Sequence, residues 1–80
     1  MTHSPPQSHP LFPRSAVYLQ RNSPKNFIVM VMVQRHYGAR WNTEARVEDI
    51  ANVTEARAVA RAFVKTFQDL YGKEVERVGW

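Results

Sequence analysis

The fold is built around seven consecutive apolar residues, Phe27-Ile28-Val29-Met30-Val31-Met32-Val33. This run is too short to cross a membrane and rich in β-branched residues, so it predicts a β-strand. An antiparallel strand with one face in water alternates apolar and polar side chains, whereas both faces of this strand are apolar. Both faces therefore need to be covered. A chain of 80 residues with one good helix covers one face easily, and what covers the other is the main functional question.

Length and composition indicate one small domain. A domain of this size buries roughly 60% of the surface that its unfolded chain exposes. The chain has no cysteine, which excludes a disulfide framework and a thiolate metal site. The N-terminus lacks the basic and apolar regions of a signal peptide, so we expect a cytoplasmic protein.

The positive charge is concentrated in the first half of the chain. Residues 1–40 contain five basic and no acidic residues, a charge of +5, whereas residues 41–80 contain six basic and seven acidic residues, a charge of −1. A basic half can attract nucleic acid or an acidic protein surface, and it can equally serve solubility.

Residues 1–15 contain four of the five prolines and predict a flexible Pro-rich arm. The segment 10–13 formally matches a PxxP ligand, but a simpler interpretation is that Leu11 and Phe12 fold back over the uncovered sheet face. His3 and His9 are too few to predict a metal site, and we expect no cofactor.

Residues 16–80 predict a single α+β domain. A first strand at Ala16–Arg21 is followed by a turn at 22–26, which forms a hairpin with the central strand. A third strand at Arg40–Val47 alternates, with Trp41 on the same side as Val47. The helix is predicted from Glu55 to Tyr71, and residues 73–80 predict a short strand beside the first. The expected fold is a small antiparallel sheet in the order β-β-β-α-β, with one amphipathic helix on one face.

The register of the second hairpin has two alternatives. A two-residue loop at Gly38-Ala39 places Trp41 on the face of Met30 and Met32, whereas a three-residue loop that includes Tyr37 places it with the core valines of the central strand. We favour the second, because it brings the β-branched residues together on one core face.

The helix termini and its apolar face are also predicted. Thr54 is the expected N-cap and Gly72 the expected C-cap in the left-handed conformation. The apolar stripe follows three- and four-residue spacing and comprises Val59, Ala60, Phe63, Phe67, Leu70 and Tyr71.

No sequence motif indicates catalysis. The chain has no nucleophile elbow, phosphate-binding loop, dinucleotide fingerprint or zinc-protease motif, and His36 is the only histidine outside the arm. A chain this small also offers little concavity for a substrate. We expect no catalytic residues and no enzyme activity.

The second face of the sheet is the leading candidate for a binding surface. Apolar patches with charged rims are typical of protein interfaces, and methionine adapts to irregular partners. The alternatives are a second copy of the chain, which would form a homodimer, and cover by the arm. The candidate interface residues are Tyr18, Ile28, Met30 and Met32, with Arg40, Asn42 and Arg46 at the rim.

Nucleic acid is the alternative partner. The segment 35–41 combines cations and aromatic rings at a hairpin tip, a combination that serves stacking and phosphate contacts. A basic helix row is the second candidate, although ordinary solvated helix faces look the same. The candidate residues are Arg35, Tyr37, Arg40 and Trp41 in the hairpin, and Arg57, Arg61 and Lys65 in the helix.

In general architecture the chain resembles the small accessory proteins of phages and mobile elements, in particular anti-CRISPR inhibitors. The shared features are small size, absence of cysteine, one sheet, one helix and no catalytic set. The resemblance implies an inhibitor that binds an effector protein or competes for a nucleic-acid path, and it assigns no residue. Our hypothesis is a non-enzymatic binding module that docks on a larger protein or nucleoprotein complex.

Overall fold

The computed structural model describes residues 11–80, which form one four-stranded sheet and one helix. Residues 1–10 of the predicted arm, including His3 and His9, lie outside the described residues. The elements are β1 (Arg14–Ser23), β2 (Asn26–Gln34), β3 (Trp41–Ile50), α1 (Val53–Tyr71) and β4 (Glu76–Val78). This order confirms the predicted α+β fold.

The sheet has the strand order β3-β2-β1-β4. β2 pairs antiparallel with both β1 and β3, whereas β4 pairs parallel with β1 over Ala16, Val17 and Tyr18. β4 therefore lies beside β1, as the sequence predicts. The sheet is mixed and not entirely antiparallel as expected, because the helix crosses over the sheet between β3 and β4 and returns the chain in the direction of β1.

The hydrophobic core lies between α1 and one face of the sheet. On the sheet, Val17 and the alternate valines 29, 31 and 33 are completely buried. On the helix, Ala56 and Ala60 are completely buried, and their small side chains allow the helix to approach the sheet closely. Fully burying one valine contributes roughly 1.5 kcal/mol or more, so these positions account for much of the stability of the domain.

The predicted apolar stripe of the helix packs on the core apart from Leu70, and it also includes Ala56 and Val64. Val64 and Phe67 are buried, whereas Leu70 is 63% exposed and does not belong to the core. Leu70 shares its side of the helix with Val59 and Phe63, which pack against the core, but it lies in the last turn of α1.

The N-cap of α1 is Asn52, and the prediction of Thr54 is wrong. Asn52 has an extended backbone, its Oδ1 accepts a hydrogen bond from the Glu55 backbone N–H at 2.8 Å, and its Nδ2 donates to Glu55 Oε1 at 3.0 Å. These two bonds start the helix one residue before Thr54. Gly72 is confirmed as the C-cap, with φ 66° and its N–H donating to the Gln68 carbonyl.

Replacing Asn52 with alanine should lower the free energy of unfolding by about 1 kcal/mol, because the Glu55 N–H loses its acceptor. Thr54→Ala is the matched control and should change stability by a few tenths of a kcal/mol, since Thr54 lies inside the first turn. Urea denaturation of both variants measures the difference. A larger loss for Thr54→Ala would contradict the observed cap.

β3 contains two irregularities that change which side chains share a face. Val31 pairs with Ala45 and Met32 pairs with Thr43, so Glu44 is an extra residue, a β-bulge. A second irregularity lies between Val47 and Ile50, where Asp49 has φ 59°. The strand therefore does not alternate cleanly along its length.

The bulge overturns the predicted register of the second hairpin. Trp41 pairs with Gln34 and lies on the face of Met30 and Met32, so its predicted place in the core is wrong. Asn42 pairs with Val33 instead and lies on the helix side, not at the predicted rim. Both errors have one cause, since the extra residue reverses the alternation between the two ends of β3.

Candidate functional site

The candidate site is the outer face of the sheet, which we define as the face opposite α1. Tyr18 lies directly opposite Met30 on this face, and Ala16 lies opposite Met32. Tyr18 also neighbours Val78 of β4. No helix or strand within residues 11–80 lies over this face, because α1 packs on the opposite side. The apolar members of the outer face are Ala16, Tyr18, Ile28, Met30, Met32, Trp41 and Val78.

The centre of the outer face is flat and partly exposed. Ala16 and Ile28 are buried, whereas Tyr18, Met30 and Met32 remain half-buried. The Thr43 hydroxyl donates a hydrogen bond to the Met32 sulfur at 3.0 Å, and this bond restrains the Met32 side chain. A flat strip with a methionine at its centre suits contact with another surface better than enclosure of a small molecule.

The charged rim of the outer face is neutralised within the chain. Arg14 donates to Glu76 at 2.7 Å, and its guanidinium lies 5.1 Å from the ring centre of Trp41. On the other side, Arg46 pairs with Glu48 at 3.0 Å. Exposed pairs of this kind contribute little to stability. They leave the apolar centre as the main source of attraction for a partner.

The structure brings five of the six predicted interface residues together. Tyr18, Ile28, Met30 and Met32 form the apolar strip, and Arg46 lies opposite Met30. Arg40 does not join them: it is exposed in the connection before β3 and forms no ion pair with any residue between 11 and 80.

The predicted cation and aromatic cluster at the second hairpin is dispersed. Arg35 donates to the Tyr71 hydroxyl at 3.1 Å and to Glu44 at 2.9 Å, which ties it to the end of α1. The neighbouring Tyr71 hydroxyl and, to a smaller extent, the Glu44 carboxylate raise the pKa of the Arg35 guanidinium, so Arg35 stays charged throughout the physiological range. Trp41 lies on the outer face, away from this group. The tip therefore presents Tyr37, which is 86% exposed, without a stacked cation.

Leu11 and Phe12, the two apolar residues of the predicted arm, differ in their exposure. Phe12 is 7% exposed and meets the ring of Tyr37 edge-on at 6.4 Å, whereas Leu11 is 63% exposed. Phe12 lies outside the core cluster beneath α1.

The basic helix row lies on the side of α1 that faces β4. Gln68 and Val64 line an open groove of about 640 Å³ with residues 74–77. Arg57 and Arg61 share this side of the helix, are exposed and form no ion pair with the described residues. Lys65 pairs with Asp69 at 3.6 Å. Glu74, which lines the same groove, has no cationic partner between residues 11 and 80, so the groove is not uniformly basic.

Three features at the C-terminal edge are not predicted from the sequence. The Trp80 indole N–H donates to the Val17 carbonyl at 2.9 Å, and the Arg77 guanidinium lies 5.1 Å from the Trp80 ring centre. Val78 extends the outer face beyond β1. An aromatic residue after a short strand is the only sequence signal for this arrangement, and it does not specify the contact.

Residues 11–80 contain no group of three or more His, Cys, Asp or Glu side chains that could hold a metal ion. In the same part of the chain, no helix is both long and apolar enough to cross a membrane. Comparison with known protein families, curated proteins and solved structures finds no match to this chain.

Proposed function

We propose that the protein is a non-enzymatic binding module of the cytoplasm that docks through its outer face on a larger protein or nucleoprotein complex. The observation that carries the proposal is the apolar centre of Tyr18, Met30 and Met32, which no described helix or strand covers. Burial of apolar surface is the main driving force of protein association. The partner presents a matching apolar patch.

The size and charge of the outer face suit such an interface. Three long strands about 4.8 Å apart, each about 33 Å long, give a flat area of roughly 500 Å². With its rim, this area approaches the roughly 800 Å² that one partner contributes to a standard interface. The ion pairs Arg14–Glu76 and Arg46–Glu48 keep unpaired charge out of the contact.

An inhibitor of the anti-CRISPR type is one form of this function. Its partner would be an effector protein that carries nucleic acid, and the outer face would occupy an apolar patch on that effector. The support is general architecture, so effector proteins belong among the candidates tested in binding assays.

Size-exclusion chromatography with light scattering, after nuclease treatment, tests the proposal. A monomer with a protein-like 260/280 nm absorbance ratio is expected, because the outer face then remains open for a partner. A nucleic-acid-free dimer would contradict the proposal by assigning the outer face to a second copy. Nucleic acid that persists through nuclease treatment would favour the second candidate.

Nucleic-acid binding is the second candidate, and the charge pairing favours it. All eleven Lys and Arg residues are described, and four of them are in ion pairs, which leaves seven without one. Of the seven acidic residues, four are in the same pairs, and Asp49 and Glu55 are hydrogen-bonded to side-chain amides. Outside the ion pairs, seven cations and three carboxylates leave a charge of +4, and a positive surface attracts phosphate backbones.

Replacing Arg57, Arg61 and Lys65 together with glutamate should leave partner binding by the outer face unchanged, because the row lies on the helix. If nucleic acid is the ligand instead, the affinity for a labelled oligonucleotide should fall, and the slope of log affinity against log salt should flatten by about 2 to 3. Fluorescence anisotropy across a salt series measures both. A loss of protein-partner binding in this variant would contradict the outer-face proposal.

A further inference from the structure

β1 is longer than β4, the strand that pairs with it on the side away from β2. β1 runs from Arg14 to Ser23, but β4 pairs only with residues 16–18. The Val17 carbonyl points toward the β4 side, since it accepts the Trp80 indole. Backbone groups alternate in direction along a strand, so those of Leu19 and Arg21 point to the same side. Beyond Gly79, which lies against the Leu19 carbonyl, no described strand pairs with this edge.

An open pocket of about 520 Å³ lies directly beside this free edge. It is bounded by the end of the first hairpin and the start of α1, and its apolar lining comes from Leu19, Phe27 and Val53. Arg21 and Gly79 line it on the strand side. Unpaired backbone groups and an apolar pocket therefore lie next to each other.

The surroundings of this pocket are cationic. Arg21 lines the pocket, Lys25 follows Pro24 in the turn, and Arg57 lies one turn after Val53 on the helix. All three cations are exposed and form no ion pair with the described residues. The carboxylates of neighbouring segments, Asp49 and Glu55, keep their charge but are held by the side-chain amides of Asn26 and Asn52, so the cations outnumber them three to two.

We propose that this edge site, formed by the β1 edge at residues 21–23 and the adjoining pocket, binds an extended acidic peptide. The peptide adds to β1 as a strand, so its backbone pairs with that of Arg21. Alternate side chains of a strand point to opposite faces, so one apolar side chain enters the pocket. Carboxylates two residues to either side of it point to the same face, where they meet Arg21 and, in the adjoining turn, Lys25.

A peptide fits the edge site better than nucleic acid. Phe27, the one aromatic residue of the pocket lining, is 7% exposed and offers no free ring for base stacking. The free backbone groups of β1 match a second backbone. The edge site is separate from the outer face, so this proposal does not depend on the proposed function.

The probe is a blocked, fluorescein-labelled nine-residue peptide with a central leucine, glutamate at every second position on either side of it, and valine at the positions between. Arg21→Glu should weaken its binding about fivefold in low salt, as loss of a favourable charge pair predicts. Arg40→Glu is the matched control, since Arg40 is also exposed and outside any ion pair of the described chain but lies at the other end of β3. Amide NMR shifts on binding should concentrate at residues 19–25, 53–57 and 79.

Two further measurements separate strand addition from charge attraction. The same peptide N-methylated at alternate amides should bind about tenfold more weakly, because it loses backbone hydrogen bonds. Equal binding of the methylated peptide, or tighter binding of a lysine-containing version, would overturn the proposal. Binding of a twelve-nucleotide oligothymidine that Arg21→Glu abolishes would assign the edge site to nucleic acid and also overturn it. Met30→Asp should bind the peptide like the wild type, which distinguishes this site from the outer face.

Discussion

Replacing Gly79 with alanine should lower the free energy of unfolding by about 3 kcal/mol. A Cβ at this position would lie 2.3 Å from the backbone oxygen of Leu19, and Gly79 has φ 87°. The positive φ costs an alanine roughly 1–2 kcal/mol. The clash adds roughly 1–3 kcal/mol, because a backbone oxygen in β1 cannot rotate away as a flexible side chain can.

The clash at Gly79 should also disturb Trp80, the residue that follows it. Moving residue 79 away from Leu19 also moves Trp80, whose indole bonds Val17 and whose ring packs against the core. A domain of this size has a total stability of only about 3–5 kcal/mol, so the variant should retain about 2 kcal/mol at most.

Gly38→Ala is the matched control for this prediction. Gly38 has φ 80°, but an added Cβ meets nothing within 4 Å. Its cost should therefore be limited to the backbone contribution of about 1 kcal/mol. Urea denaturation of both variants isolates the clash as the difference between them. Equal losses would show that Gly79 is not pressed against Leu19 in solution.

The sequence predicts those parts of the fold that depend on local patterns. The apolar run of β2, the position of the helix and the left-handed Gly72 follow from hydrophobic periodicity and backbone preferences. The N-cap of α1 is harder to predict, because Asn52 and Thr54 are both good N-cap residues and the choice between them depends on where β3 ends.

The register of β3 could not be predicted because a bulge leaves no composition signal here. The extra residue is Glu44, and neither glycine nor proline marks it. An alternating pattern read across a bulge assigns one end of the strand to the wrong face. This is why Trp41 was expected in the core but contributes to the outer face.

The candidate site is also predictable only where it depends on local patterns. Tyr18, Met30 and Met32 are placed together by alternation on two adjacent strands, which the sequence shows. The cluster predicted at the second hairpin does not form, because Arg35 donates a hydrogen bond to Tyr71, which lies 36 residues away in the sequence. The edge site depends on β4 being only three residues long, and no pattern in β1 reveals that.

Met30→Asp should weaken docking through the outer face more than a hundredfold while the fold remains intact. Met30 lies opposite Tyr18 and Arg46 near the centre of the outer face. A carboxylate buried there against an apolar partner surface loses its hydration without a full set of hydrogen bonds, at a cost of about 3 kcal/mol or more. In the free protein Met30 is half-buried, and the neighbouring Arg46 can attract the new carboxylate, so unfolding should change by about 1 kcal/mol at most.

Leu70→Asp is the matched control, because it makes a similar apolar-to-acidic change at an exposed position on the helix, away from the outer face. Tagged wild type and Leu70→Asp should capture the same protein from a cell lysate, and Met30→Asp should not. Circular dichroism and urea denaturation establish that both variants are folded. A folded Met30→Asp that retains the partner would move the interface off the outer face. Capture lost equally in both variants would show that negative charge alone disrupts docking, which would point to the free cations as the contact and favour an acidic partner surface.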